Sequence, residues 1–174
     1  RVWCGLWCYR GVRCSFGPRV SVSLASVVFD SAWSGLGGAG VYHVWLANDA
    51  TTLVYNGTGT VLKAALKGGI FSKGIPVFGP HSVSIPGMVG GLGAMHKDYG
   101  TKSWQSLCEP AACLAGGGFF VTHAYRSFAQ KALEKIQRNE ISQEIFIDKS
   151  APPDLGTKIK QPKLCQTLTQ LGDE

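Results

Sequence analysis

Charged residues and long apolar runs are both scarce in this sequence. Only 16% of its 174 residues are charged, against 45% that are hydrophobic. A chain of this length with so much apolar surface can bury a core, which excludes a disordered tail. No run of about 18 uninterrupted apolar residues occurs, so we expect no membrane-spanning helix. The composition therefore predicts a folded chain with the length of one domain.

A dense basic run, the footprint of many nucleic-acid-binding proteins, is also missing. The chain has 17 Lys and Arg against 11 Asp and Glu, a net charge of +6, but the basic residues are spread from Arg1 to Lys163. Scattered cations do not form a patch that follows a phosphate backbone. We therefore predict no nucleic-acid partner.

The six cysteines lack the spacing of a metal site. Neither the N-terminal trio nor the pair further along repeats the CxxC pattern of a zinc ribbon, and no histidine lies within a turn of either group. The four histidines are too dispersed to form a metal site or an acid–base pair. We therefore predict no metal, no cofactor and structural thiols, while disulfides within the trio stay compatible with its spacing. The residues concerned are Cys4, Cys8, Cys14, Cys108, Cys113 and Cys165, and His43, His81, His96 and His123.

Hydrophobic spacing predicts a hairpin followed by several helices. Residues 41–46 and 52–55 have the β-branched and aromatic content of two strands, with a turn at Asn48 and Asp49. Three further segments are less regular: residues 21–28 suit either a buried helix end or a strand, 61–80 a mixed connection, and 83–85 a short strand. Helices are predicted over 87–99, from Ser103 to the glycines at 116–118 with Pro110 kinking or dividing it, over 122–140, and over 162–171.

Residues 35–40 (GLGGAG) match the GxGxxG fingerprint of dinucleotide-binding proteins. That fingerprint requires a preceding strand, a following helix and an acidic residue about 20 positions further on. Here a strand-like segment follows, and no acidic residue lies about 20 positions beyond Gly40. We therefore expect these glycines to allow close backbone packing instead.

An ordered set of motifs resembles the γ-glutamyltransferase family. Residues 34–40 (SGLGGAG) followed by a strand are similar to that family's SGxGGGG segment, and residues 84–92 (SIPGMVGGL) are similar to its VPGxxxGL segment. The similarity covers residues 24–174, and the order of the motifs makes it specific. The further matching positions are 96–100 (HKDYG), Trp104, 110–112 (PAA), 114–115, 118–119, Gly156, 161–164 (QPKL), Thr167 and Leu168.

The resemblance implies an α/β (α+β) fold, namely the large-subunit part of the αββα sandwich of N-terminal nucleophile (Ntn) hydrolases. In that family a precursor cleaves itself, and the threonine that then begins the small subunit is the nucleophile, with its free amine as general base. It attacks an amide carbonyl and passes the acyl group to water or an amine, as in glutathione metabolism. The implied partners are this small subunit and a small-molecule amide or γ-glutamyl substrate, and the present chain supplies no catalytic residue.

The sequence departs from the family at Asn56 and Thr58. In γ-glutamyl-specific members an Arg-Glu-x-Ala-Pro segment follows a strand, and its arginine binds the substrate α-carboxylate through its planar fork. The alignment puts Thr58 in place of that arginine and Leu62 in place of the proline. We therefore take the uncharged Asn56 and Thr58 as candidate substrate-binding residues of an acylase or amidohydrolase branch. Two simpler interpretations stay open: Thr58 is a turn residue, and residues 56–58 (NGT) form a turn that spells a glycosylation acceptor.

The first 20 residues differ from the rest, because they are rich in Trp, Cys and Arg and show no hydrophobic period. We expect residues 1–23 to be a divergent, unstructured N-terminus and residues 24–174 to be a γ-glutamyltransferase-like large-subunit region, truncated at both ends. Three hypotheses follow: a subunit of an amide hydrolase or acyltransferase, a catalytically inactive truncated remnant or interaction protein, and a nucleotide-binding domain. The ordered motifs favour the first.

Overall fold

The computed structural model describes residues 16–46, 49–61, 63, 71, 74–76 and 79–174. Predictions for the first 15 residues, for the turn at Asn48, for Leu62 and for most of the connection 61–80 lie outside the described residues. In chain order the elements are α1 (Phe16–Phe29), β1 (Gly40–Leu46), β2 (Thr51–Gly57), a 3₁₀ turn (Pro80–Ser82), α2 (Met88–Tyr99), α3 (Trp104–Gly117), β3 (Phe119–Phe120), α4 (His123–Lys131), α5 (Leu133–Gln137), α6 (Glu140–Phe146), β4 (Lys158–Ile159) and α7 (Pro162–Asp173).

These elements fall into two compact units. The first contains the described residues up to Gly35 and those from Thr101 to Glu174, and the second contains Leu36–Gly100. Among the described residues, no helix is long and apolar enough to cross a membrane. The helix α1 begins ahead of the predicted boundary at residue 24, and that boundary stays a prediction.

In the first unit, α1 packs against α3, and α3 packs against α7. Residues 21–28, which suited a helix or a strand, belong to α1. Val20, Leu24 and Val28 recur one helical turn apart and are fully buried. Burying each such side chain contributes about 1.5–3 kcal/mol to folding. The hydroxyl of Ser21 donates to the carbonyl oxygen of Leu107 on α3, at 3.0 Å.

The helices α3 and α7 run antiparallel at close range. Gly172, near the end of α7, lies against Cys108 in the first half of α3, while Gly116, near the end of α3, lies against Cys165 in the first turns of α7. The absence of a side chain at both glycines lets the two backbones approach. Pro110 lies inside α3, which continues through it without dividing.

The prediction of one helix over residues 122–140 was wrong. The chain forms α4 and α5 there, and α6 begins at Glu140. Ala132 leaves helical geometry with φ −95° and ψ 4°, and Asn139 starts α6 by accepting a hydrogen bond from the Ser142 amide at 2.9 Å. The hydroxyl of Tyr125 donates to the Phe146 carbonyl at 3.3 Å, which ties α6 back to α4. The predicted charged face is exposed at Arg126, Gln130, Lys131, Glu134 and Arg138.

A tight turn at Asp148–Ala151 holds two non-glycine residues in left-handed conformations. The amides and carbonyls of Asp148 and Ala151 bond reciprocally at 2.8 Å, while Lys149 and Ser150 have φ of 44° and 67°. This is the geometry of a type I′ turn, in which glycine is favoured at the second central position. We expect Ser150→Gly to raise the free energy of unfolding by roughly 1 kcal/mol, because a left-handed L-residue costs about that much.

Urea unfolding followed by circular dichroism checks this expectation. Ser127→Gly is the matched control, because Ser127 is an exposed serine inside α4, where replacing serine by glycine lowers helix stability by roughly 0.5 kcal/mol. Equal effects of the two substitutions would contradict the left-handed strain assigned to Ser150.

The second unit contains the predicted hairpin and the predicted helix behind it. The strands β1 and β2 pair antiparallel, in a register that runs from Gly40 opposite Gly57 to Leu46 opposite Thr51. The helix α2 packs against both strands and ends at Gly100, as the sequence predicted. Val44 of β1 and Leu92 of α2 are buried in this unit.

The predicted strand over residues 83–85 was wrong. Only Ile85 pairs, through an isolated antiparallel bridge in which its amide donates to the Thr60 carbonyl at 3.0 Å. Val83 is exposed, so the alternation of apolar and polar residues reflected no buried face. The bridge nevertheless ties the residues that follow β2 to the segment that leads into α2.

Candidate functional site

Asn56 and Thr58, the candidate substrate-binding residues, lie together at the carboxyl end of β2. Both side chains are exposed. The Asn56 side-chain oxygen Oδ1 accepts two hydrogen bonds from Thr58, one from its amide at 3.0 Å and one from its hydroxyl at 2.6 Å. A backbone N–H can only donate, so the amide orientation of Asn56 is fixed, with its Nδ2 group on the other side. The two residues therefore form one uncharged hydrogen-bonding unit.

A close approach of glycines holds the end of β2 against the start of α2. A methyl group on Gly87 would lie 2.5 Å from the Gly57 carbonyl oxygen and 2.8 Å from the Thr58 carbonyl oxygen. A methyl group on Gly57 would in turn lie 2.7 Å from the Gly87 carbonyl oxygen. These distances are too short for any side chain, so both positions require glycine if the backbones are to stay where they are.

Tyr42 fills the space that the glycines leave, and the sequence analysis treated it only as a strand residue. Its hydroxyl donates to the Met88 carbonyl oxygen at 2.9 Å, and its ring lies over Gly57 and Gly91. Burial raises the pKa of the Tyr42 hydroxyl above its ordinary value, so the group stays protonated and remains a donor. Of the glycines at 87, 90 and 91, only Gly91 faces the ring, since a methyl group there would lie 2.7 Å from the ring of Tyr42.

Gly59, which follows the pair, packs closely against the segment that leads into α2. A side chain at Gly59 would overlap the Ser84 hydroxyl and would lie 2.8 Å from the Ile85 carbonyl oxygen. The local fold therefore leaves no room for a side chain at this position.

The expectation that the glycines at residues 35–40 allow close backbone packing is not confirmed at Gly35 and Gly37, where a methyl group would meet nothing within 4 Å, whereas one at Gly40 would lie 2.5 Å from the Tyr42 hydroxyl oxygen. The Gly38 carbonyl oxygen accepts hydrogen bonds from the amides of Gly87 and Met88, each at 3.1 Å. The strand β1 follows at Gly40, where a dinucleotide-binding fingerprint would need a helix. The nucleotide-binding hypothesis therefore lacks its structural context.

A separate groove of about 650 Å³ lies between α3 and α7 in the first unit. Three free cysteines line it: Cys108 is buried, Cys113 is exposed and Cys165 is intermediate. Burial raises the pKa of the Cys108 thiol, which keeps it protonated and unreactive. In the part of the chain that the structure describes, no group of three or more His, Cys, Asp or Glu side chains could hold a metal ion.

One family model and several characterised proteins are similar to this chain. The family model described as Gamma-glutamyltranspeptidase matches residues 18–174. The Glutathione hydrolase-like YwrD proenzyme of Bacillus subtilis (strain 168) is 28% identical over 165 residues, which cover 92% of this chain and 31% of that protein. The Glutathione hydrolase proenzyme of Pseudomonas sp. (strain A14) is 31% identical over 157 residues, 86% of this chain and 27% of that protein.

Solved structures are also similar to this chain. The gamma-glutamyltranspeptidase of Helicobacter pylori matches with a TM-score of 0.81 and 26% identity, over 91% of this chain and 47% of that one. A cephalosporin acylase from Bacillus halodurans matches with a TM-score of 0.79 and 20% identity, over 91% of this chain and 31% of that one, which shows the shared fold. This chain spans about a third of the length of its bacterial glutathione hydrolase relatives. With residues 18–174 matched and part of the Ntn-hydrolase fold present, the chain belongs to the γ-glutamyltranspeptidase family.

Proposed function

We propose that this chain is the large-subunit region of a two-subunit amide hydrolase or acyltransferase. Its threonine nucleophile begins a separate small subunit, which lies outside this sequence. The observation that carries the proposal is the family match over residues 18–174. Two of the relatives are named as proenzymes, which agrees with a precursor that matures by cleavage. Without the small subunit, the 174 residues bind part of the substrate but do not turn it over.

The substrate side of the proposal rests on Asn56 and Thr58. In the alignment Thr58 stands where γ-glutamyl-specific members have the arginine that binds the α-carboxylate. A guanidinium offers two parallel charged donors to a carboxylate, whereas Asn56 and Thr58 have no charge to offer. We therefore place the chain in a branch that acts as an acylase or amidohydrolase on other amides.

The hairpin offers the small subunit a surface on which to dock. Val41, Trp45 and Val54 lie on the face of β1 and β2 that is turned away from α2, and they are 60%, 54% and 60% exposed. Their cross-strand partners on the same face are the polar residues Asn56, Thr52 and His43. An antiparallel sheet that faces water usually carries polar side chains on that face. Large apolar side chains on such a face are instead typical of two sheets that pack together in a sandwich. We infer that strands of the small subunit cover it.

Expressing the coding sequence together with whatever follows Glu174 tests the proposal. We expect a precursor that yields two subunits, the smaller of which begins with threonine, and hydrolysis of amide donors by the pair. The 174-residue chain alone should give no turnover. Replacing the new N-terminal threonine by alanine should abolish both cleavage and turnover, because one hydroxyl performs both attacks.

A stop codon soon after Glu174 would overturn the proposal and favour an inactive remnant or an interaction protein. Rapid hydrolysis of γ-glutamyl-p-nitroanilide by the paired subunits would leave the two-subunit enzyme standing and refute the assignment to a branch without γ-glutamyl specificity. Micromolar binding of NAD or ATP to the chain would instead support the nucleotide-binding hypothesis.

A further inference from the structure

We propose that Cys113 and Cys165, which line the groove between α3 and α7 from opposite helices, form a disulfide by exchange with a small-molecule disulfide. The pair would then act as a redox-sensitive cross-link between the two helices. Three free cysteines line this groove, and no step of the proposed function uses them. The inference goes beyond that function, because both cysteines lie within the first unit.

The two thiols flank a gap that glycines leave between the helices. The Sγ atom of Cys165 lies 3.1 Å, and its Cβ atom 3.7 Å, from the point where a side chain of Gly116 would begin. Cys113 precedes Gly116 by three residues, and side chains at this spacing are neighbours on one helix face, about 5–6 Å apart. A disulfide requires Cα atoms within about 7 Å of each other. Because Gly116 and Gly117 carry no side chain, α7 lies close enough to α3 for a small shift to join the two sulfur atoms.

Exposure sets the order in which the thiols react. Cys113 is exposed, so a disulfide in solution reaches it first, whereas Cys165 is partly buried. Cys108 is buried beneath Gly172, and burial raises the pKa of its thiol, so this third cysteine stays protonated and takes no part. The groove has a volume of about 650 Å³, which leaves room for the group that Cys113 carries after the first step.

The exchange has two balanced steps. The Cys113 thiol loses its proton and its sulfur attacks one sulfur of the reagent, whose S–S bond breaks so that one half leaves as a thiol. The sulfur of Cys165 then attacks the Cys113 sulfur of the mixed disulfide, and the second half leaves as a thiol. Two protein thiols are oxidised and one small-molecule disulfide is reduced, so no other oxidant is needed. An excess of a small-molecule thiol reverses both steps.

Treating the 174-residue chain with cystamine tests the proposal. Trypsin then releases residues 103–126, which contain Cys113, and residues 164–174, which contain Cys165. We expect mass spectrometry to find these two peptides joined, with fragmentation placing the bond at Cys113 and not at Cys108, and dithiothreitol to separate them. Because the bond closes a loop of residues 113–165 in the unfolded chain, the urea midpoint of the oxidised protein should rise by at least about 0.5 M.

Cys165→Ser should stop the reaction after its first step, with one cysteamine held on Cys113 and no rise in the urea midpoint. Cys113→Ser, a change at an exposed position that the fold tolerates, should leave the two peptides separate. Cys108→Ala is the control and should form the same bond as the wild type. A wild-type chain that keeps cysteamine on Cys113 while Cys165 stays a free thiol overturns the inference, as does a bond from either thiol to any other cysteine. None of these results depends on amide hydrolysis, so the proposed function stands or fails separately.

Discussion

An alanine at Gly87 is expected to lower the free energy of unfolding of the second unit by roughly 3 kcal/mol. Its methyl group would lie 2.5 and 2.8 Å from the carbonyl oxygens of Gly57 and Thr58. These are backbone atoms, so no side chain can rotate away, and the end of β2 must separate from the start of α2. Overpacking of this kind costs about 1–3 kcal/mol, and the upper end applies where backbone must move. Urea unfolding and amide hydrogen exchange of the strand residues would measure the loss.

The matched control is Gly90→Ala, three residues further along. Nothing lies within 4 Å of a methyl group at Gly90, and the residue is inside α2. Alanine should therefore raise stability there by up to about 1 kcal/mol through its helix propensity. If both variants changed stability by the same amount and in the same direction, the close approach at Gly87 would have no energetic role.

Replacing Gln161 by leucine is expected to destabilise the first unit by about 2 kcal/mol. Gln161 is 5% exposed, and its Nε2 donates to the Val28 carbonyl oxygen of α1 at 2.8 Å. Its backbone amide donates to the Ala115 carbonyl of α3, also at 2.8 Å. Gln161 therefore links the start of α7 to α1 through its side chain and to α3 through its backbone amide. Leucine would leave the buried Val28 carbonyl without this donor, and an unpaired buried polar group costs about 1–3 kcal/mol.

Gln166→Leu, at an exposed position on α7, is the control and should change the free energy of unfolding by less than about 0.5 kcal/mol. Gln161→Glu adds a test by pH. Burial raises the folded-state pKa of a glutamate above its unfolded value of about 4.3, so stability is retained below that value and lost as pH rises. This variant should therefore be closer to wild type at about pH 4 than at pH 7, and the opposite trend would show that no donor is needed here.

The spacing of apolar residues along the sequence predicted those helices and strands that have one buried face and one exposed face. The hairpin, α2, α3 and α7 lie where the spacing of apolar residues put them, and glycines end α2 and α3 as predicted. Residues 83–85 and 122–140 show the same kinds of pattern, but they do not form the predicted strand and the predicted single helix. The bridge between Thr60 and Ile85 replaces the first, and the bond from Tyr125 to Phe146 accompanies the division of the second.

Only part of the candidate site could be predicted from the sequence. Its residues Asn56 and Thr58 could be chosen because an alignment of motifs marked an arginine as missing. The direction of their hydrogen bonds could not be predicted, since an asparagine two positions before a threonine adopts several turn geometries. Tyr42 could not be predicted as a site residue. Its partner Met88 is distant in sequence, and the hydrogen bond goes to a backbone oxygen.

The sequence alone determined the family, the hairpin and the uncharged nature of the pair at Asn56 and Thr58. These properties depend only on residue identity and local spacing, and both can be read directly from the amino-acid sequence. The tertiary structure alone decided that Thr58 donates both its hydrogen bonds to Asn56, and that Gly57 and Gly87 meet at backbone distance. Both depend on atoms brought together by packing between β2 and α2, and no local propensity contains that information.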